Sequence, residues 1–207
     1  MRHCAGFMTA SMQSLIRQNE GMSLPDFKRI RKSADKKNER KSLIKRTRGI
    51  KMSQVSKVVE KIKDDIAGKK VLEAACGRAE FSVCASRLAE EVFSVDMVSF
   101  RLMEEVKECK NLTFEQMDVT AMKYEEQTFD TVVMYNAIAH LDTVIPETLS
   151  ESKRVLKAGG VIYVISSFKI DKAVIEEKLI PYLEKSGERY TVETDKIYTY
   201  VKISVSV

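Results

Sequence analysis

No stretch of this sequence runs through 18 apolar residues, which excludes a membrane-spanning helix. The first residues, MRHCAGFMTASMQ, lack the sustained apolar segment of a secretory leader, so a cytoplasmic protein is expected. Cysteine and histidine are sparse and dispersed. The four cysteines (Cys4, Cys76, Cys84, Cys109) form no Cys-x-x-Cys pair, and the two histidines lie far apart. That spacing points to no metal site and to reduced thiols. What is present is ordinary for a water-soluble globular domain: 44% hydrophobic and 31% charged residues over 207 positions, enough chain to bury a real core.

The charge is unevenly spread. Residues 1–70 hold 19 Lys+Arg against 7 Asp+Glu, a net +12, whereas residues 71–207 carry −7. Residues 26–51 alone contain 12 basic and 3 acidic side chains and few large apolar ones, too little to build a core. The expected division is a basic N-terminal arm over 1–51 and a folded domain over 52–207, with Met22 and Met52 as alternative translation starts. The arm has three readings: a solvated helix, a lid over a binding pocket, or a nucleic-acid contact supplying charge without sequence readout.

From residue 71 onward short apolar runs alternate with segments of helical period. Residues 71–74, 92–95, 112–117, 131–134 and 161–165 read as strands of a parallel sheet covered on both faces. Between the first two, Phe81, Cys84, Ala85 and Leu88 recur at helical spacing. Pro146 suits the first turn of a helix reaching about Lys157 and ended by Gly159-Gly160. Asp171 suits the cap of a further helix carrying Val174, Ile175, Leu179 and Leu183, with Pro181 a kink or boundary. Strand-like segments 188–193 and 196–205 lie so close together that they must pair antiparallel. The fold class expected is α/β: a doubly wound, mostly parallel seven-stranded sheet with an antiparallel last strand, preceded by the basic arm.

The chemistry-bearing pattern begins at KVLEAACGRAEFSVCAS (70–86). A strand ends at Glu73, a turn of small residues follows, and a helix begins near Ala79, so a ligand can approach the backbone closely. Asp96 ends the second strand, 19 residues after Gly77, where a carboxylate suits ribose hydroxyls. Asp118, in EQMDVTAM, ends the third strand, where an acid suits an adenine amino group. Residues 128–141 and 153–165 supply the fourth and fifth strands and the loops that line the crevice of an open α/β sheet.

Over about residues 70–207 this order resembles the class I, Rossmann-like S-adenosylmethionine-dependent methyltransferases. That family carries a [D/E]xGxGxG turn after strand one, acids ending strands two and three, and an LKPGG turn before strand five. The resemblance implies S-adenosylmethionine as cofactor and a cofactor site of Glu73, Ala75, Gly77, Asp96, Met97, Asp118, Val119 and Asn136. Asp96 would meet the ribose, Met97 would pack against adenine, and Asp118 would meet the adenine amino group with Val119 beside it, while Glu73, Gly77 and Asn136 would lie near the methionine end. The departures are Ala75 and Ala79 for two of the glycines and Ala158 for the proline. Alanine is tolerated there if φ is negative and a methyl group fits, and it narrows the approach. With only Gly77 left, a GxGxxG dinucleotide site is disfavoured.

Methyl transfer needs alignment and exclusion of water, with a base only when the accepting atom holds a proton. His140, just beyond strand four, is the candidate base or a structural histidine. Tyr135 lines the same pocket or packs with one satisfied hydroxyl. Asp130 and Cys84 read as structural. The expected acceptor is a small molecule, ahead of nucleic acid bound through the arm. A cofactor-binding module without turnover is the alternative. The sequence leaves the oligomeric state open.

Overall fold

The computed structural model describes residues 54–205; the basic arm over 1–51, with its lid and nucleic-acid readings and both internal starts, lies outside them. Seven strands form one sheet: β1 (Lys70–Ala74), β2 (Glu91–Asp96), β3 (Leu112–Gln116), β4 (Phe129–Tyr135), β5 (Leu156–Ser166), β6 (Arg189–Thr194) and β7 (Thr199–Ser204). Their order is β3-β2-β1-β4-β5-β7-β6. β7 alone is antiparallel to its neighbours; the other pairings are parallel. The chain steps outward from β1 through β2 to β3, then returns to place β4 on the other side of β1. This reversal opens a crevice at the carboxyl ends of β1 and β4.

The two-residue period of each strand feeds two apolar layers. In β1, Val71 and Leu72 face opposite ways, and both are fully buried. The first layer holds α1 (residues 54–61) and α2 (Glu80–Ala85). Val55, Val58, Val59 and Ile62, at i, i+3, i+4 and i+7, all point into it. Burying each such side chain stabilises the fold by roughly 1.5–3 kcal/mol, an upper bound against an extended chain. Asp65 fastens this end to the sheet by accepting from the Tyr163 hydroxyl (2.6 Å) and the Lys202 ammonium (2.7 Å). The second layer holds α3 (Ile145–Val155), α4 (Lys169–Val174) and α5 (Ile180–Lys185).

Several boundaries differ from expectation. α3 stops at Val155, not near Lys157, and Gly159-Gly160 lies inside β5 rather than ending the helix. The register between β4 and β5 shifts there, so the pair of glycines is a bulge. A Cβ on Gly160 would stand 2.6 Å from Leu156 Cγ and 2.9 Å from the Asp130 carbonyl, which only glycine avoids. α2 ends at Ala85, so Leu88 falls in the following turn and is exposed while Phe81, Cys84 and Ala85 are buried. Asp171 is no cap. Phe168 occupies that position, and Asp171 is buried one turn in, accepting from the Ala139 N–H at 2.9 Å. Pro181 marks the boundary expected of it: the turn Ile175–Leu179 widens to i→i+5 bonding, with Ile180 N–H reaching the Ile175 carbonyl, and joins α4 to α5. α1 itself was not anticipated. Among the described residues no helix is long and apolar enough to cross a membrane.

Candidate functional site

The turn between β1 and α2 is built from left-handed backbone. Ala75, Gly77 and Ala79 have φ of +56°, +54° and +60°. The two alanines therefore sit in the conformation that glycine adopts without cost, against the negative φ that would have made them tolerable. α2 begins without a side-chain cap of its own. Glu73, arriving from β1, takes that place: its Oε2 accepts from the Ser82 N–H (3.0 Å) and the Ser82 hydroxyl (2.5 Å). The Ser94 hydroxyl extends the chain by donating to Ser82 Oγ at 2.6 Å. Glu73 is 1% exposed, and its Oε1 has no hydrogen-bond partner. Burial pushes its carboxyl up to about 8, against the opposing Ser82 bonds.

Above this turn a cavity of about 440 Å³ opens at the carboxyl ends of β1, β2 and β4, a size suited to a small-molecule ligand. Eight of the ten residues singled out from sequence line it: Ala75, Gly77, Asp96, Met97, Val119, Tyr135, Asn136 and His140. Glu73 and Asp118 do not. Glu73 lies beneath the turn, and Asp118, exposed two residues past β3, accepts from the Thr120 N–H and hydroxyl, both at 2.8 Å. Those two bonds hold its carboxyl below the usual range.

Asp96 ties two loops together. Its Oδ2 accepts from Gly77 N–H (2.8 Å) and its Oδ1 from Val98 N–H (3.0 Å). A Cβ on Gly77 would meet nothing within 4 Å, so open space lies against this stretch of backbone. Asn136, another left-handed residue at φ +51°, accepts through Oδ1 from Ser167 N–H (2.7 Å) and hydroxyl (3.1 Å). This bond and the Asp171–Ala139 bond fix the loop beyond β4 to the end of β5 and to α4.

Tyr135 stacks on Phe81 (ring centroids 6.0 Å), and its hydroxyl meets that of Tyr198 at 2.9 Å. Burial, then the Tyr198 hydroxyl, raises its phenol above the ordinary range, so the hydroxyl holds its proton. His140 is exposed at the cavity edge. Burial, with Glu73 and Asp96 near, raises the Cys76 thiol well above its usual range and keeps it neutral. Among the described residues no group of three or more His, Cys, Asp or Glu is placed to hold a metal ion.

Sequence reasoning missed the rim. Phe100 and Phe168, 80% and 54% exposed, stand on the cavity wall beside Arg78 and Arg101. Their positions just beyond β2 and β5 were the available signal, since loops at carboxyl strand ends face such a crevice.

Residues 71–160 match a family described as Methyltransferase domain. Among curated proteins the chain is similar to Phosphoethanolamine N-methyltransferase 1 of Triticum aestivum, 27% identical over 137 residues, covering 64% of this chain and 27% of that protein. The chain thus spans about a quarter of that relative's length. Among solved structures it is similar to a SAM-dependent methyltransferase from Aquifex aeolicus (TM-score 0.60, 20% identity, 72% of this chain and 89% of that one). It is also similar to Phosphoethanolamine N-methyltransferase 1 of Haemonchus contortus, solved with phosphoethanolamine and S-adenosylhomocysteine (TM-score 0.55, 15% identity, 73% and 42%). At these identities the two structures carry the fold.

Proposed function

We propose that this chain is a class I, Rossmann-like S-adenosylmethionine-dependent methyltransferase, a reading supported by the methyltransferase domain matched over residues 71–160, and that it takes S-adenosylmethionine in the crevice cavity and passes its methyl group to a small-molecule acceptor. The observation that carries the reading is Asp96, a carboxylate on the cavity wall at the end of β2. A carboxylate offers about four lone-pair sites, and the two N–H groups it holds leave others for the paired hydroxyls of a ribose. The open space beside Gly77 fits a ligand lying against the backbone, and Met97 and Val119 offer apolar surface for a purine ring.

When bound, S-adenosylmethionine supplies a methyl group on a sulfonium, and transfer joins that carbon to a lone pair of the acceptor while the C–S electron pair returns to sulfur. The residues of the chain align and enclose. Glu73 acts as a positioning residue, holding the turn against α2. Asn136 and Asp171 fix the β4 loop, and so the place where an acceptor would lie. His140 is the group available to take a proton when the accepting atom carries one. A small-molecule acceptor is supported by the phosphoethanolamine methyltransferases to which the chain is similar.

Calorimetric titration with S-adenosylhomocysteine tests the reading. Saturable binding is expected, weakened by about tenfold or more in Asp96→Ala, as for loss of hydrogen bonds to a charged group. No binding by the parent chain would sink it. The strained Ala75 and Ala79 favour one second reading, a cofactor-binding module without turnover. Conversion of S-adenosylmethionine to S-adenosylhomocysteine that rises on adding any of a panel of small acceptors would exclude that module.

A further inference from the structure

A second cavity, of about 320 Å³, opens between α1 and the turn joining β6 to β7. Its floor is aromatic: Tyr198 and Tyr200 are nearly buried, with ring centroids 6.1 Å apart. Lys57, Lys61 and Lys196 line it, against a single carboxylate, Asp195. That carboxylate is occupied within the turn, where Oδ1 accepts from the N–H groups of Ile197 (2.8 Å) and Tyr198 (2.7 Å). Lys61 is occupied too, bonded to Glu193 at 2.6 Å and lying 4.0 Å over the Tyr200 ring. Lys57 and Lys196 have no ion pair among the described residues. The cavity is therefore cationic, in a body whose residues 71–207 carry −7.

Tyr198 also connects the two cavities. Its hydroxyl bonds to that of Tyr135, which lines the first cavity, so one hydroxyl pair stands between them. No arginine lines the second cavity. Its lysines supply mobile point charges, and two of them together attract a doubly charged anion more strongly than a singly charged carboxylate.

We propose that the second cavity binds a phosphate monoester group through Lys57 and Lys196 and that, resting on the methyltransferase reading above, this group is the anionic end of the acceptor. The accepting atom then reaches the first cavity past the Tyr135–Tyr198 pair. The test titrates inorganic phosphate into the full chain at low ionic strength, followed by backbone amide shifts, alongside S-adenosylhomocysteine. Expected is saturable binding with shifts centred on Lys196 and Tyr198, weakened by about tenfold or more in Lys57→Ala/Lys196→Ala, as for loss of charge-assisted bonds. Both lysines are exposed, so the variant should fold, and its unchanged S-adenosylhomocysteine affinity checks this. Phosphate binding absent, or equal in the variant, with S-adenosylhomocysteine still bound overturns the anion site alone. Failure of S-adenosylhomocysteine to bind the parent chain overturns the acceptor role through the reading on which it rests.

Discussion

Replacing Ala75 by glycine should stabilise the protein, whereas the same change at Ala79 should leave stability nearly unchanged. Both residues sit at φ near +60°, where a Cβ costs roughly 1–2 kcal/mol. Glycine removes that strain but loosens the unfolded chain, which offsets about 0.4–1 kcal/mol. At Ala75, half-exposed on the cavity wall, little else changes, and the net gain is about 0.5–1 kcal/mol. At Ala79 the methyl group is fully buried in the first apolar layer. Its loss forfeits about 0.8 kcal/mol of burial and leaves a small void, which cancels the relief. Urea unfolding of both variants gives the answer: the midpoint should rise for Ala75→Gly and stay put for Ala79→Gly, at constant slope. Equal gains at both positions, or a loss at Ala75, would refute the argument that backbone strain, weighed against burial, governs this turn.

Glu73 makes stability depend on pH. Its carboxyl, raised to about 8 by burial, binds a proton more tightly in the folded chain than in the unfolded one. Its contribution is therefore greatest below the ordinary carboxyl range and is lost as pH rises toward about 8. Glu73→Gln should flatten that slope, because the amide has no proton to lose over this range. Urea midpoints from about pH 5.5 to 8.5 check this, and identical slopes in parent and variant would contradict it. His140→Ala should slow methyl transfer without changing S-adenosylhomocysteine affinity, because the ring stands at the cavity edge. Undiminished turnover with an identified acceptor would remove His140 from the mechanism.

The sheet was legible because its signals are local. Apolar runs such as VVM (132–134) and VIYVI (161–165) are buried on both faces and declare themselves without knowledge of their neighbours. The last two strands could be paired from their spacing alone. The stop of α3 was not legible, because Gly159-Gly160 reads as a helix terminator until the bulge against Asp130 is seen. Asp171 shows the same limit, since an acid near a helix start reads as a cap and only tertiary contact gives it Ala139. α1 carries its own signal, the helical period of Val55, Val58, Val59 and Ile62, but it is only two turns long and adjoins a basic stretch with few large apolar residues. At the site, residues at strand ends were found, whereas Phe100 and Phe168 depend on loop paths that no short motif encodes. The left-handed backbone at Ala75 and Ala79 was hidden because alanine gives no sign of positive φ.

The widened turn between α4 and α5 has a consequence for helical phase. Ile175, Leu179 and Leu183 are all buried, spaced by fours. In an unbroken 3.6-residue helix two such steps overshoot by about 80°, which would swing Leu183 toward the edge of the buried face. The i→i+5 turn takes more residues per revolution and so absorbs part of that overshoot. It also falls just before Pro181, which has no N–H to offer the carbonyl four residues back. The widened turn therefore houses one surplus residue: deleting one residue between 175 and 180 would restore a regular ladder and leave Leu183 seven positions after Ile175, within about 20° of the same buried face.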